Sequence, residues 1–359
     1  MTTMTPPSKP KPVRIAAIGT AVPATRMTQA QAEEILLRRY GPQLRPRSRA
    51  ILQKVFGHPS VRQRHLATSQ PESLIGEDPD ARVARFTEHA IALSEEACRA
   101  ALARAAAAPD AIRAIVVNTC TGYLCPGLST YLVERLALAR ETRAYDLVGA
   151  GCGGAIPNIE VAAGQLNGSD GAVLSVSVEI CSATFQMGDD LSLIISNALF
   201  GDGAAAAVLR RGGDGHGPAI VDSASLYAPE LREHIRYVHR GGQLHNQLST
   251  SLPNVLKPII SRVVGALLKR NGLEQSDIRH WAIHPGGEKV IQAVQDALAL
   301  SDAQLRVARD ALATYGNMSS PTVWFELDQI LSDGVAPGDW LLMLAMGAGL
   351  SAHACLLKA

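Results

Sequence analysis

Apolar residues in this chain form two alternating patterns: short unbroken or every-second runs, and stretches in which they recur every three or four positions. The short runs over 13–20, 112–118, 143–148, 171–177 and 204–209 predict strands. The helical period recurs over 29–39, 84–108, 127–138, 156–166 and 191–199. A glycine- and charge-rich stretch at 210–218 reads as a linker and sets expected halves at 1–212 and 213–359. Beyond it the pattern restarts, with strands over 219–226, 279–283, 340–346 and 352–357 and helices over 254–270, 288–299, 302–312 and 321–331. Short buried strands alternating with helices predict an α/β molecule whose sheets are covered on both faces.

The halves echo one another. Asp110-Ala111-Ile112-Arg113 precedes a strand ending at Asn118, and Asp277-Ile278-Arg279 precedes one ending at His284. Tyr145, Gly149 and Cys152 lead into a helix, as Tyr315-Gly316-Asn317 does later. Such repetition predicts two similar α/β halves joined face to face, with reactive residues where their strand ends meet.

Composition narrows the function. With 359 residues, 47% hydrophobic and 19% charged, the chain has enough apolar material for two large cores. A net charge of +1 gives no argument for a nucleic-acid or membrane-surface partner. The apolar run 341–350 is too short to span a bilayer, and the polar, proline-rich start over 1–12 reads as a disordered arm rather than a secretory signal. The six cysteines (Cys98, Cys120, Cys125, Cys152, Cys181 and Cys355) form no CxxC pair, which fits free thiols in a reducing cytoplasm. No metal-ligand spacing, phosphate loop or dinucleotide fingerprint is visible. The segment 42–64 is strongly basic; Arg45, Arg47, Arg49, Lys54, Arg62 and Arg64 fit a solvated face or a rim that meets the phosphates of a nucleotide-tailed substrate.

One stretch carries the chemistry. Val148-Gly149-Ala150-Gly151-Cys152-Gly153-Gly154-Ala155 sets a cysteine on a tight strand-to-helix turn. The following helix directs its free N–H groups and positive dipole end at the sulphur, which favours thiolate. That term is roughly 0.3–2 kcal/mol, at most about 1.5 pKa units against a free thiol near ~8.5. Full ionisation therefore calls for another cation, most naturally an imidazolium. His284 beside Pro285-Gly286-Gly287 and Asn317 after Gly316 occupy comparable glycine-containing turns before helices.

The sequence resembles the type III polyketide synthases, the chalcone- and stilbene-synthase-like family, over nearly its whole length. The resemblance rests on Gly151-Cys152-Gly153-Gly154-Ala155, Trp281-Ala282-Ile283-His284-Pro285-Gly286-Gly287, Tyr315-Gly316-Asn317-Met318-Ser319-Ser320-Pro321 and Leu199-Phe200-Gly201-Asp202-Gly203-Ala204-Ala205. It implies a thiolase-like, duplicated αβαβα five-layered fold, a cytoplasmic homodimer, and coenzyme A thioesters as substrates with no bound cofactor. By the same resemblance Cys152 takes the acyl group, and His284 pairs with its thiolate. His284 and Asn317 hold the thioester oxygen of malonyl-CoA as it decarboxylates, and Phe200 is the gatekeeper between substrate tunnel and cavity. Cys120, Thr121, Cys181 and Thr184 fall at pocket-lining positions, and Cys125 falls where a partner subunit contributes a side chain. Lys54 and Gly287 join the expected substrate contacts. Small residues at Cys120, Thr121 and Thr184 leave room for a long acyl chain.

Two departures shape the expected activity. The family's Gly-Phe-Gly-Pro-Gly-like loop is here Ala345-Met346-Gly347-Ala348-Gly349, and no second pocket phenylalanine is evident around 246–248. Both favour a bacterial-type enzyme with an aliphatic starter and a pyrone, resorcinol or phloroglucinol product. The alternatives are a single-round 3-oxoacyl-carrier-protein synthase, which shares the Cys, His and Asn, a cysteine hydrolase or amidotransferase, and a non-catalytic scaffold.

Overall fold

The computed structural model describes residues 11–167, 171–212 and 217–359. Most of the expected arm over 1–12 and the centre of the expected linker over 210–218 lie outside the described residues.

The first half-sheet grows outward from Val13–Ala21, which pairs antiparallel with Asp202–Arg211. That strand pairs antiparallel with Ala172–Ile180, which runs parallel to Ile112–Asn118, itself parallel to Arg143–Leu147. The second half-sheet repeats the scheme from Ala219–Tyr227: antiparallel to Ser351–Lys358, antiparallel again to Trp340–Gly347, then parallel to Ile278–Ile283. Ile112–Asn118 and Ile278–Ile283, the strands whose flanks echo in sequence, therefore hold equivalent places in the two halves. The half-sheets also meet edge to edge through Arg14 and Ala219, which makes the hydrogen-bonded sheet continuous.

Packing sets five layers. Helix Pro79–Arg104 covers the outer face of the first half-sheet with Phe86, Ala90, Ala97 and Ala101. Helices Ala155–Gly164 and Thr322–Asp333 form the middle layer. Their Ile156, Ile159, Trp324 and Leu327 share one core with Val116 and Leu209 from the first half and with Leu341 and Met343 from the second. Helices Leu252–Arg270 and Glu288–Leu298 cover the second half-sheet on its far side. The α/β thiolase-like duplication expected from sequence is thus the observed architecture. Ala172–Ile180 is buried at every position because helices lie on both its faces, so it shows no alternation.

Local differences from the expected elements have physical causes. The helix expected over 84–108 starts at Pro79 because Asp78 caps it, accepting hydrogen bonds from the backbone N–H groups of Asp80 and Ala81 at 2.9 and 3.1 Å. It ends at Arg104, and Ala106 turns left-handed at φ 47°. The stretch read as loop after 226 contains a hairpin, Ile235–Arg240 with Gln243–Leu248. Its turn is Gly241-Gly242 with φ of 57° and 75°, the positive-φ pair that two-residue hairpins require. Among the described residues no helix is long and apolar enough to cross a membrane.

Asn158, wholly buried in the middle layer, ties the helix after Cys152 to the first half-sheet. Its Nδ2 donates to the carbonyls of Val116 (3.1 Å) and Val176 (2.9 Å) and to Asn118 Oδ1 (2.9 Å), and its Oδ1 accepts from Ser175 Oγ at 2.7 Å. Asn158→Ala leaves these groups without partners away from water, and is expected to lower unfolding free energy by roughly 2–5 kcal/mol. Chemical denaturation measures this; a loss under about 0.5 kcal/mol, the scale of a neutral surface change, would overturn the assignment.

Candidate active site

Cys152 lies in the turn Gly151–Gly153, just before helix Ala155–Gly164. The turn rests against the end of strand Trp340–Gly347 in the other half, where Ala348 N donates to Ala150 O at 3.2 Å. A side-chain carbon at Gly347 would clash with Ala150 O and lie 2.7 Å from Gly153 N, so only glycine lets the two halves approach this closely. His284 follows strand Ile278–Ile283, its N–H donating to Leu344 O at 2.8 Å. Asn317 sits between helices Arg306–Tyr315 and Thr322–Asp333. Its backbone brackets Phe200: Asn317 N donates to Leu199 O at 2.9 Å, and Gly201 N donates to Asn317 O at 3.0 Å. Ser319 N holds Asn317 Oδ1 at 2.7 Å, which leaves the amide NH₂ free to turn toward the sulphur. Cys152, His284, Asn317 and Phe200 line one small buried cavity with a free volume of about 30 Å³.

Desolvation works against the expected pairing of a Cys152 thiolate with His284. Burial pushes the Cys152 thiol up to about 11, against the opposing pull of hydrogen bonds from Ser319 and Asn317. Burial also drives the His284 imidazole down to about 3, and neither of its ring nitrogens has a hydrogen-bond partner among the described residues. Moving the thiol proton to the imidazole across that gap costs on the order of 10 kcal/mol. Attraction between charges at ~4 Å returns only about 4 kcal/mol at an effective dielectric of ~20. Burial therefore opposes ionisation of the resting pair, and the helix-terminus term is too small to offset that desolvation.

The remaining expected residues separate into distinct places. Phe200 also borders a second, apolar cleft of about 50 Å³ free volume, lined with Cys181 and Thr184 by Leu36, Leu66, Leu74 and Phe185. Arg64, itself buried, fixes the turn at Phe200 by donating to Phe200 O at 2.9 Å and Asn197 O at 2.6 Å. Cys120 and Thr121 line neither cavity. They sit behind Cys152, with Cys120 Sγ 3.7 Å from Ser319 Oγ and Thr121 Oγ1 donating to Glu179 at 2.9 Å. Cys125 is exposed and away from both cavities of its own chain. Lys54 is exposed on helix Pro46–Phe56 and borders neither cavity; Gly286 rather than Gly287 lines the first.

Sequence reading missed three contributors. Glu179, wholly buried, is the last residue but one of strand Ala172–Ile180; burial raises its pKa while donors from Cys120, Thr121 and Ser320 pull it back. Its signal was a lone carboxylate at the end of an apolar run. Tyr237 and Leu248 come from the hairpin read as loop. The Tyr237 hydroxyl lies 3.5 Å from Thr184 Oγ1, and Leu248 packs with Cys152, Cys181 and Phe200.

Two family models match the chain in succession: residues 24–219 match the FAE1/Type III polyketide synthase-like protein family, and residues 219–359 the C-terminal domain of chalcone and stilbene synthases. The chain is 32% identical to a 3,5-dihydroxyphenylacetyl-CoA synthase of Streptomyces toyocaensis over 98% of this chain and 91% of the relative. It is 33% identical to a 1,3,6,8-tetrahydroxynaphthalene synthase of Streptomyces peucetius subsp. caesius over 96% and 92%. The crystal structure of PKS-I from the brown alga Ectocarpus siliculosus matches with a TM-score of 0.88 at 26% identity, covering 98% of this chain and 99% of that one. The protein belongs to the type III polyketide synthase family, the chalcone and stilbene synthases. It is an acyltransferase of iterative condensation, and its family acts on coenzyme A thioesters.

Two measurements test the site's electrostatics and packing. Iodoacetamide modification of Cys152, followed by mass spectrometry of its peptide, should accelerate about tenfold per pH unit above neutrality and level off near pH 11. A rate already level below about pH 7 would reveal a standing thiolate and overturn the neutral pair. Gly347→Ala, which forces the Cys152 turn away from its support, is expected to destabilise the fold by roughly 1–3 kcal/mol or more. An unshifted melting temperature would contradict that packing argument.

Proposed function

We propose that this enzyme loads an aliphatic acyl-CoA on Cys152, extends it with several malonyl-CoA units, and closes the chain to a pyrone, resorcinol or phloroglucinol ring. The observation that carries the reading is the juxtaposition of Cys152, His284 and Asn317 around a buried cavity that meets an apolar cleft at Phe200.

In loading, the Cys152 sulphur attacks the starter thioester carbonyl while His284 takes the thiol proton, then returns it to the departing coenzyme A sulphur. A neutral resting pair suits this, since the proton moves only as the carbon–sulphur bond forms. In extension, the Asn317 amide and a neutral His284 N–H donate to the malonyl thioester oxygen. Loss of carbon dioxide then leaves an enolate whose charge develops against those donors, each worth roughly 2.7–4 kcal/mol in comparable sites. The enolate carbon attacks the acyl carbonyl on Cys152, the carbon–sulphur bond to Cys152 breaks with the sulphur leaving as thiolate, and the lengthened chain stays on the extender's coenzyme A, from which that thiolate can take it up again. Both named relatives are synthases of ring-closed aromatic products, which supports cyclisation.

The cleft beyond Phe200 supports the aliphatic starter, because Met27, Ile35, Leu36, Leu66, Leu74 and Ile75 offer a methylene chain apolar contact. A second copy of the chain completes the reading. Val148, which follows the edge strand Arg143–Leu147, and Tyr123, in the turn after the neighbouring strand Ile112–Asn118, expose 68% and 78% of their surface, apolar area that calls for cover. Cys125 lies in the same region and would then face the partner. We place the enzyme in the cytoplasm, where its thiols stay reduced and coenzyme A thioesters are at hand.

The test is mass spectrometry of products from purified protein given malonyl-CoA and acyl-CoAs from short to long, with one aromatic. Several two-carbon extensions on an aliphatic starter, abolished in Cys152→Ala, are expected. Thr184→Phe should shorten the starters accepted. A single extension that requires a carrier protein, release of free acid alone, or an unaltered starter profile in Thr184→Phe would each overturn the corresponding part.

A further inference from the structure

On the far side of the apolar cleft lies a chamber of about 720 Å³ that shares the walls Leu74, Ile75 and Phe185 with it. Its character is different: Arg38, Arg39, Arg82, Gln186 and Gln243 border it, against one carboxylate, Glu77. That carboxylate is already engaged. Arg85 holds it through two bonds of 2.7 Å, and Arg82 Nε reaches it only at 3.4 Å. Two guanidiniums thus share one carboxylate with all three side chains about nine-tenths buried, and no second carboxylate pairs with either arginine among the described residues. Arg82 Nη1 donates to Gln243 Oε1 at 3.1 Å, and that oxygen also takes Gln186 Nε2 at 2.7 Å. Arg82 Nη2 has no acceptor among the described residues. Arg38 is neutralised by Glu34 and Glu72, whereas Arg39 has no ion-pair partner there. A largely buried guanidinium that shares its one carboxylate at 3.4 Å therefore borders the cavity, and its planar fork suits a carboxylate.

We propose that this chamber binds the anionic far end of the starter, so that the preferred substrate is an aliphatic acyl-CoA carrying a terminal carboxylate. The proposal rests on the reading above that the apolar cleft takes the starter chain. The thioester end then reaches Cys152 past Phe200, the methylenes occupy the cleft, and the carboxylate pairs with Arg82. Glu77 and Arg85 remain as a balanced pair, so Arg82 can be replaced without stranding a buried charge.

The experiment compares, in the intact enzyme, kcat/KM for mono-CoA thioesters of straight-chain dicarboxylic acids with that for unsubstituted acyl-CoAs of equal length. At the best length the carboxylated starter should be favoured about ten- to hundredfold, the range of one charge-assisted pair. Arg82→Met should abolish the preference while leaving turnover of unsubstituted starters within about twofold, and Arg82→Lys should restore part of it. Equal kcat/KM for the two series in the wild-type enzyme would overturn the chamber's role while leaving the aliphatic-starter reading intact. A preference that survives Arg82→Met would do the same. Extension of neither series would overturn both. The wild-type comparison stands even if a variant fails to fold.

Discussion

Glu179 takes hydrogen bonds from five donors: Cys120 N, the hydroxyls of Thr119 and Thr121, and those of Ser319 and Ser320. The first three belong to the turn after strand Ile112–Asn118 in one half of the molecule, and the last two follow Asn317 in the other. Ser320 also receives Asn118 Nδ2 at 2.8 Å, which carries the connection on to Asn158 and the helix behind Cys152. A buried carboxyl with so many partners is rigid, because losing any one leaves a polar group unsatisfied in a low-dielectric interior. The relative position of the sulphur and the Asn317 amide depends on it.

The same low dielectric governs the chemistry. Desolvation favours the uncharged forms of both Cys152 and His284, raising the thiol and lowering the imidazole from their ordinary values. A neutral imidazole can accept the thiol proton in one step and donate its N–H in another, whereas an imidazolium could only donate. The Asn317 amide complements it because its donor strength does not vary with pH. Burial, an obstacle to a standing thiolate, strengthens these donors once an oxyanion develops.

The apolar cleft lies in a different part of the fold. Phe200 stands between the reacting residues and the apolar cleft, and its turn is held from both sides, by Arg64 on one and by the Asn317 backbone on the other. Phe200 and Asn317 thus share one backbone bridge, so a shift at the mouth of the apolar cleft is felt at the Asn317 amide. Glycine at 347 completes this constraint by letting the Cys152 turn press onto the opposite half-sheet.

The amino-acid sequence by itself determined the alternation of strands and helices, the duplication, the family, and the three turns bearing Cys152, His284 and Asn317. These are local signals: apolar period, glycine and proline punctuation, and short motifs that need no knowledge of what packs on them. The hairpin that brings Tyr237 and Leu248 over the cavity was also legible in its Gly241-Gly242 turn, but its half-buried strands lack a clean alternation. What only the tertiary structure decided was environment. Whether Cys152 is a thiolate depends on desolvation, which the neighbours of the sulphur set and no motif encodes. The placing of Glu179 behind the site, the sorting of Lys54 to the surface, and the excess guanidinium at Arg82 arise in the same way, from residues far apart in the chain. Charge and solvation are sums over everything nearby in space, and the fold chooses what is near.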